Sequence, residues 1–327
     1  MLIDDFQRSI TYLRLALTDR CNFRCQYCMP AEGLNWLPSD TLLQDAEIEF
    51  LMREVFIPSG ITKVRLTGGE PMLRKGLITL VTRLANLPGL TDLSMTTNGV
   101  FLAQHAERLA KAGLRRVNIS LDSMRTERFA EITRGGNLQR TLQGISAALS
   151  ANLSQVKVNM VVIPGINDDE ILDLASLTID RPLHVRFIEM MDLGDHAFFA
   201  ERKFLPVKRV ADRIREHYAL EPPTDQVPGN GPAVVLRIAG AKGTLGFISP
   251  MSQTFCHSCN RLRLTADGKI KPCLMRSQEI DLLGALRQGF SGTALRRLVV
   301  GSLSAKPLHH EWGANQRGSR TMSQIGG

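Results

Sequence analysis

The chain has 327 residues, a formal net charge of +8, 43% hydrophobic residues and only 6% aromatics. This length suits one large domain, or a main domain with an appendage, built on an aliphatic α/β core. No apolar run approaches a membrane span, and the first residues, with Asp4 and Asp5, lack a secretory signal's basic flank and apolar core. A cytoplasmic protein with no membrane partner is therefore expected.

Residues 12–18 read as a first strand that delivers the chain to a loop containing Cys21, Cys25 and Cys28. Further strands are predicted at 63–68, 91–96, 117–122, 156–163 and 184–190. Helices are predicted near 45–57, 75–86, 101–112, 138–151 and 168–177. Strands and helices alternating at this spacing imply βα units and a parallel sheet. There are too few units for the closed eight-unit barrel, which leaves an open barrel or a doubly wound sheet.

Side chains alternate across a strand, so Lys63, Arg65 and Thr67 share one face, and so do Asn118, Ser120 and Asp122. Lys157 pairs with Asn159 in this way, and Arg186 lies between His184 and Ile188. One polar face on strand after strand favours an incomplete barrel with a ligand-holding interior. The alternative is that these groups lie at strand ends and meet solvent.

The βα rhythm stops after residue 191. A helix is predicted at 207–217, and the proline- and glycine-rich stretch 221–232 reads as a linker. Segments 234–238 and 244–248 can form a hairpin, and helices are expected around 279–288 and 292–305. The chain thus divides into residues 1–220, the barrel, and residues 233–327, an extension.

All six cysteines fall into two sets: Cys21, Cys25 and Cys28, then Cys256, Cys259 and Cys273. Such sets in a long, cytosolic-looking chain argue for metal rather than disulfides. Three thiolates can hold three irons of an iron–sulfur cube and leave the fourth open. Structural zinc and buried inert thiols are the alternatives at the first set. At the second set zinc competes, with His257 as a candidate fourth ligand.

Thr67-Gly68-Gly69-Glu70-Pro71 forms a turn just beyond the second strand, where paired glycines permit close backbone approach. Arg261 and Arg263 share a face, and Arg14, Lys63, Arg65, Lys157 and Arg186 lie on the predicted strands. Converging, they suit a highly anionic ligand such as a phosphorylated small substrate, more than nucleic acid. No Walker loop is present, which argues against P-loop nucleotide hydrolysis.

The spacing of the first three cysteines, with Tyr27 before the last, resembles that of the radical S-adenosylmethionine (SAM) enzymes. The chain as a whole resembles the GTP 3′,8-cyclase family of molybdenum-cofactor biosynthesis. The resemblance rests on Leu13-Arg14-Leu15, on residues 63–71, on Val158-Asn159, and on Arg186-Phe187-Ile188-Glu189-Met190-Met191. Its most specific parts are Phe255 to Leu264 and the ending Ser323-Gln324-Ile325-Gly326-Gly327.

That resemblance implies an incomplete (β/α)6 TIM-like barrel, with a C-terminal α+β extension closing its open side. It implies two [4Fe-4S] clusters, one on each cysteine set, with SAM at the first. Tyr27, Gly69, Ser120, Asn159 and Met191 would border SAM. Arg14, Lys63, Arg65, Thr67, Thr96, Lys157, Arg261 and Arg263 would hold GTP. Arg186, Gly326 and Gly327 would assist the chemistry, with Arg186 against Tyr27 or the tail.

The implied reaction is a lyase step. A SAM-derived 5′-deoxyadenosyl radical takes the C3′ hydrogen of GTP, and C3′ attacks guanine C8. The product is (8S)-3′,8-cyclo-7,8-dihydroguanosine 5′-triphosphate. An external electron donor, a homodimer and product transfer to cyclic pyranopterin monophosphate synthase are implied as well. A radical SAM enzyme acting on peptide or RNA, and a zinc-stabilised binding module, are the competing readings.

Overall fold

A computed structural model describes residues 1–191, 198, 204–224, 231–309 and 320–326. Six parallel strands follow one another in space as in sequence: β1 (Tyr12–Ala16), β2 (Lys63–Thr67), β3 (Asp92–Thr97), β4 (Arg116–Ser120), β5 (Gln155–Val162) and β6 (Leu183–Glu189). The intervening helices are α1 (Asp45–Leu51), α2 (Leu77–Ala85), α3 (Leu102–Lys111), α4 (Thr126–Thr133), α5 (Leu138–Ser150) and α6 (Ile171–Asp180).

The physical division follows the strand period. Leu13, Leu15, Val64, Leu66, Val117, Ile119, Val156, Val158, Val185 and Phe187 are all buried in the main hydrophobic core. Helix residues such as Leu80, Leu84, Leu109, Ile145 and Leu174 complete that core. The opposite strand face carries the polar residues. A packed barrel would fill that space with aliphatic layers, whereas this one leaves it to charged and amide side chains.

The remaining elements are α7 (Val207–Arg215), β7 (Leu220–Glu221), β8 (Val234–Ile238), β9 (Thr244–Ile248), β10 (Arg261–Leu264), β11 (Lys269–Lys271), β12 (Ile280–Asp281), α8 (Leu282–Arg287), α9 (Gly292–Ser302) and α10 (Met322–Ile325). Strand β9 pairs parallel with β6, while β10 pairs parallel with β1. The C-terminal part therefore extends the six-stranded unit at both edges. The resulting order, β12-β11-β10-β1-β2-β3-β4-β5-β6-β9-β8-β7, is one open sheet of 12 strands. This is the incomplete barrel expected above.

Several local expectations shift. The helix expected over 45–57 ends as α1 at Leu51 and passes into a wider π-helical turn at Met52–Phe56. The helix expected at 168–177 starts at Ile171, after a short 3₁₀ turn at Asp168–Glu170. Helix α4 was not anticipated: it is short and mostly polar, and its N-cap residue Arg125 supplies no capping bond. The hairpin of β8 and β9 forms as expected. Of the 221–232 stretch, residues 225–230 lie outside the described residues.

Candidate active site

The strands enclose a cavity of about 380 Å³, and all six cysteines line it. Their placement follows from the strand directions. Cys21 comes shortly after Ala16, which ends β1. Cys259 comes two residues before Arg261, which pairs with Tyr12 at the start of β1. Strand β11 runs antiparallel to β10 and brings Cys273 back to the same end as Cys259. The two sets thus lie at opposite ends of parallel strands. Four residue steps at about 3.3 Å each put roughly 13 Å of strand between those ends.

The first set sits in an anionic, tightly hydrogen-bonded rim. The Tyr27 hydroxyl donates to Asp122 Oδ2 at 2.7 Å, and Asp122 Oδ1 accepts from the Val161 amide at 2.8 Å. Burial pushes the Asp122 carboxyl up to about 6, against those two bonds. Glu70 accepts from the Met72 amide at 3.0 Å, the Thr97 hydroxyl at 2.8 Å and the Asn98 amide at 2.8 Å. Its burial raises it to about 7. Glu189 receives the Val207, Met251 and Ser252 amides, each at 2.9 Å. These buried carboxylates tie loops of the rim together.

The thiols of this set respond in the same way. Burial pushes Cys21 up to about 11 and Cys28 up to about 12, and raises Cys25 well above its ordinary value. Neighbouring thiols add to the shifts of Cys25 and Cys28. Cys21, Cys25 and Cys28 would hold a cationic iron cluster, which would supply the positive charge that buried thiolates need and release their protons on binding.

The Gly68–Gly69 turn packs on the backbone that leads into the cysteine loop. The Gly69 amide donates to Thr18 O at 2.8 Å, and the Glu70 amide to Arg20 O at 2.8 Å. Gly68 has φ +137°, and a Cβ on Gly69 would lie 2.2 Å from Arg20 O. The paired glycines therefore permit a protein–protein backbone approach as well as an opening to the cavity.

The second set lies in a cationic region. The register aligns Arg263, Arg14, Arg65, Ser94 and Arg116 across neighbouring strands. A second row aligns Thr96, Asn118, Lys157 and His184. Burial and then crowding by Arg186, Arg116 and Arg65 push the Lys157 ammonium down to about 5. Burial also disfavours the charge on Arg14, Arg65, Arg186 and Arg263, with neighbouring guanidiniums adding to it. A guanidinium does not give up its proton in a protein, so this crowding is expressed as attraction for an anion. Thr96 Oγ1, Asn118 Oδ1, Asn159 Oδ1 and the Tyr12 hydroxyl are buried without hydrogen bonds among the described residues. Such groups need partners, and a nucleotide or SAM can provide them.

The cavity wall brings together Tyr27, Gly69, Ser120, Asn159, Met191, Arg14, Lys63, Arg65, Thr67, Thr96, Lys157, Arg186, Arg261 and Arg263, each anticipated from sequence. Gly326 is held beside it: its carbonyl accepts from Arg14 Nε at 3.2 Å and Arg263 Nη1 at 2.9 Å. Its φ is +77°, and a Cβ there would lie 2.3 Å from Thr67 Oγ1. Gly327 lies outside the described residues. Arg186 was expected against Tyr27 or the tail. Tyr27 bonds Asp122, and Gly326 accepts from Arg14 and Arg263; the relation of Arg186 to Gly327 lies outside the described residues.

The wall also holds Tyr12, Arg116 and Lys306, which sequence reasoning missed, and Asn118, which it placed on the polar face without a role. The period-two pattern could have found the first two, because Tyr12 lies two residues from Arg14 and Arg116 two residues from Asn118 on the polar face. The strand expected to start at Val117 begins one residue earlier and takes in Arg116. Lys306 has no local signal.

Residues 15–178 match the radical SAM superfamily, and residues 183–312 match the family described as Molybdenum Cofactor Synthesis C. The GTP 3′,8-cyclase of Moorella thermoacetica is 50% identical over 324 residues, covering 99% of each chain. That of Pelotomaculum thermopropionicum is 48% identical over 324 residues, again 99% of each. The chain belongs to the GTP 3′,8-cyclase family. The crystal structure of Streptococcus suis SuiB bound to S-adenosylmethionine matches with a TM-score of 0.57 at 15% identity, over 91% of this chain and 70% of that one. That likeness concerns the fold. Membership of this family favours two iron–sulfur clusters over zinc, and a nucleotide over peptide or RNA. No helix among the described residues is long and apolar enough to cross a membrane.

Proposed function

We propose that this cavity is where the chain cyclises GTP between C3′ and C8, with Cys21, Cys25 and Cys28 holding one [4Fe-4S] cluster and Cys256, Cys259 and Cys273 the other. Full-length likeness to named GTP 3′,8-cyclases supports the reaction and its place in molybdenum-cofactor biosynthesis. When bound, the first cluster and SAM supply the radical chemistry that takes a hydrogen atom from GTP. The observation that carries the residue assignment is the single cavity with one cysteine set at each end and a guanidinium layer between.

The chain's own residues then have separable tasks. Arg14, Lys63, Arg65, Lys157, Arg261 and Arg263 offset the triphosphate charge. Thr67 and Thr96 orient the nucleotide beside them, and Tyr27, Gly69, Ser120, Asn159 and Met191 border the SAM end. Arg186 and Gly326 lie where they can keep the reacting atoms aligned, and Gly327 is assigned the same task. Fixed geometry matters here because one hydrogen must be chosen among many, and enclosure keeps water and competing hydrogen donors away. Residues 1–220 form the SAM-binding unit in this reading, and residues 233–327 carry the second cluster and the tail. A cytoplasmic homodimer, an external electron donor and transfer of the product to cyclic pyranopterin monophosphate synthase complete it.

Anaerobic reconstitution with iron and sulfide tests the assignment. About eight irons per chain, and a cyclised product from GTP, SAM and reductant, are expected. Four irons with GTP consumed normally would remove the second cluster from the account.

A further inference from the structure

The ammonium of Lys306 lies beside the second cysteine set. Its Nζ donates to Cys259 Sγ at 3.3 Å, to Arg261 O at 2.9 Å and to Pro272 O at 3.2 Å. An ammonium has three donors, and here each has a separate acceptor. Arg261 follows Cys259 closely, and Pro272 immediately precedes Cys273. One side chain therefore ties the two separate loops that carry Cys259 and Cys273. Lys306 is only 4% exposed, and among the described residues no carboxylate lies within ion-pair distance of it. A buried charge without a counter-ion is costly. The negative charge it faces is that of the cysteine sulfurs.

Lys306 is itself fixed from the other end of the chain. Arg8 donates to Cys256 O at 2.5 Å, to Lys306 O at 3.5 Å and to Pro307 O at 3.0 Å, while its Nε pairs with Asp4 at 2.6 Å. Arg8 thus joins the loop of Cys256 to the segment that presents Lys306.

We infer that Lys306, braced by Arg8, is a positioning residue for the second cluster, locking its two cysteine loops together and raising its reduction potential through a charged N–H···S contact. This rests on the reading that Cys256, Cys259 and Cys273 hold a cluster. Cluster potentials respond to local charge and to hydrogen bonds on sulfur. Reduction adds negative charge to the cluster, so a nearby cation favours the reduced form.

The test is a redox titration of the full-length, anaerobically reconstituted protein followed by electron paramagnetic resonance, comparing native chain, Lys306→Met and Lys306→Gln. Signals are assigned by their response to SAM or to GTP. Lys306→Gln keeps a donor without the charge. Its GTP-responsive signal should need a reducing potential at least tenfold more demanding in equilibrium, which is 59 mV for a one-electron couple. The SAM-responsive signal should stay where it was. Lys306→Met should show the same shift or lose about four irons while keeping the SAM-responsive signal. An unchanged potential in Lys306→Gln at full iron content would overturn the inference, as would loss of both clusters together. A native chain that binds only about four irons would overturn the cluster reading itself, and the inference with it.

Discussion

The two ends of the barrel solve the same problem in different ways. At one end three cysteines come from a single loop within eight residues, surrounded by buried carboxylates that hold the rim. At the other, Cys256 and Cys259 are joined by Cys273 only after a hairpin turn, and cations surround them. Spacing along the chain can specify the first arrangement. The second depends on tertiary structure, with Lys306 and Arg8 supplying connections that sequence proximity does not. Charge follows function in this arrangement: the cationic half suits the polyanionic substrate, and the anionic rim suits the ammonium and sulfonium of SAM.

The largest expected effect separates the ends directly. Cys25→Ala should abolish both SAM cleavage and GTP cyclisation, whereas Cys256→Ala should abolish cyclisation but retain SAM cleavage. Each variant should hold about four irons. Quantifying 5′-deoxyadenosine and cyclised nucleotide by chromatography checks this. Equal loss of SAM cleavage in both variants would break the distinction.

Next comes the cationic layer. Arg263→Ala removes a buried guanidinium from the proposed triphosphate region and from the Gly326 carbonyl. Truncating one partner of a buried charged contact costs about 2–5 kcal/mol, so GTP affinity should fall roughly 30- to 4,000-fold. Equilibrium binding with SAM affinity as control measures it.

Gly326→Ala should disturb only the tail. The new methyl would meet Thr67 Oγ1, and the positive φ penalises any side chain. Strain of about 1–3 kcal/mol should displace the tail and lower turnover by roughly 5- to 150-fold. Iron content and SAM binding should stay unchanged.

The gentlest test uses pH. Burial and its cationic neighbours hold the Lys157 ammonium down to about 5, which favours the neutral amine in the ligand-free protein. A bound triphosphate raises that value, so binding takes up a proton and affinity falls as pH rises. The slope should approach tenfold per unit between about pH 7.5 and 9, where the terminal phosphate, with a second pKa of about 6, is already ionised. Calorimetry in buffers of different ionisation enthalpy should detect uptake, and Lys157→Met should abolish it. No uptake by the native chain would show that the ammonium was charged already.

Much of this molecule was legible in its residues. The period-two faces placed Lys63, Arg65, Asn159 and Lys157 in one cavity because a pleated strand fixes which side chains share a side. The cysteine loop was legible for the same reason: a short spacing leaves thiols little freedom. Helix α4 was not, because a short polar helix with no capping bond has little local signature. Nor were the amide donors to Glu70 and Glu189, which come from loops far away in sequence. Lys306 was hidden altogether. A lysine near Pro307 looks like any surface lysine until the fold surrounds it with a thiol and two carbonyls.

The placement of β9 and β10 has a consequence for biogenesis. While the ribosome has released only the first 220 residues, β1 and β6 each present a row of unsatisfied main-chain groups to water or to another nascent copy. Those rows are covered only when the last third of the polypeptide arrives, and Gly326 can be seated between Arg14 and Arg263 only after that. A polypeptide released at residue 220 would therefore pair edge to edge with its own kind and precipitate.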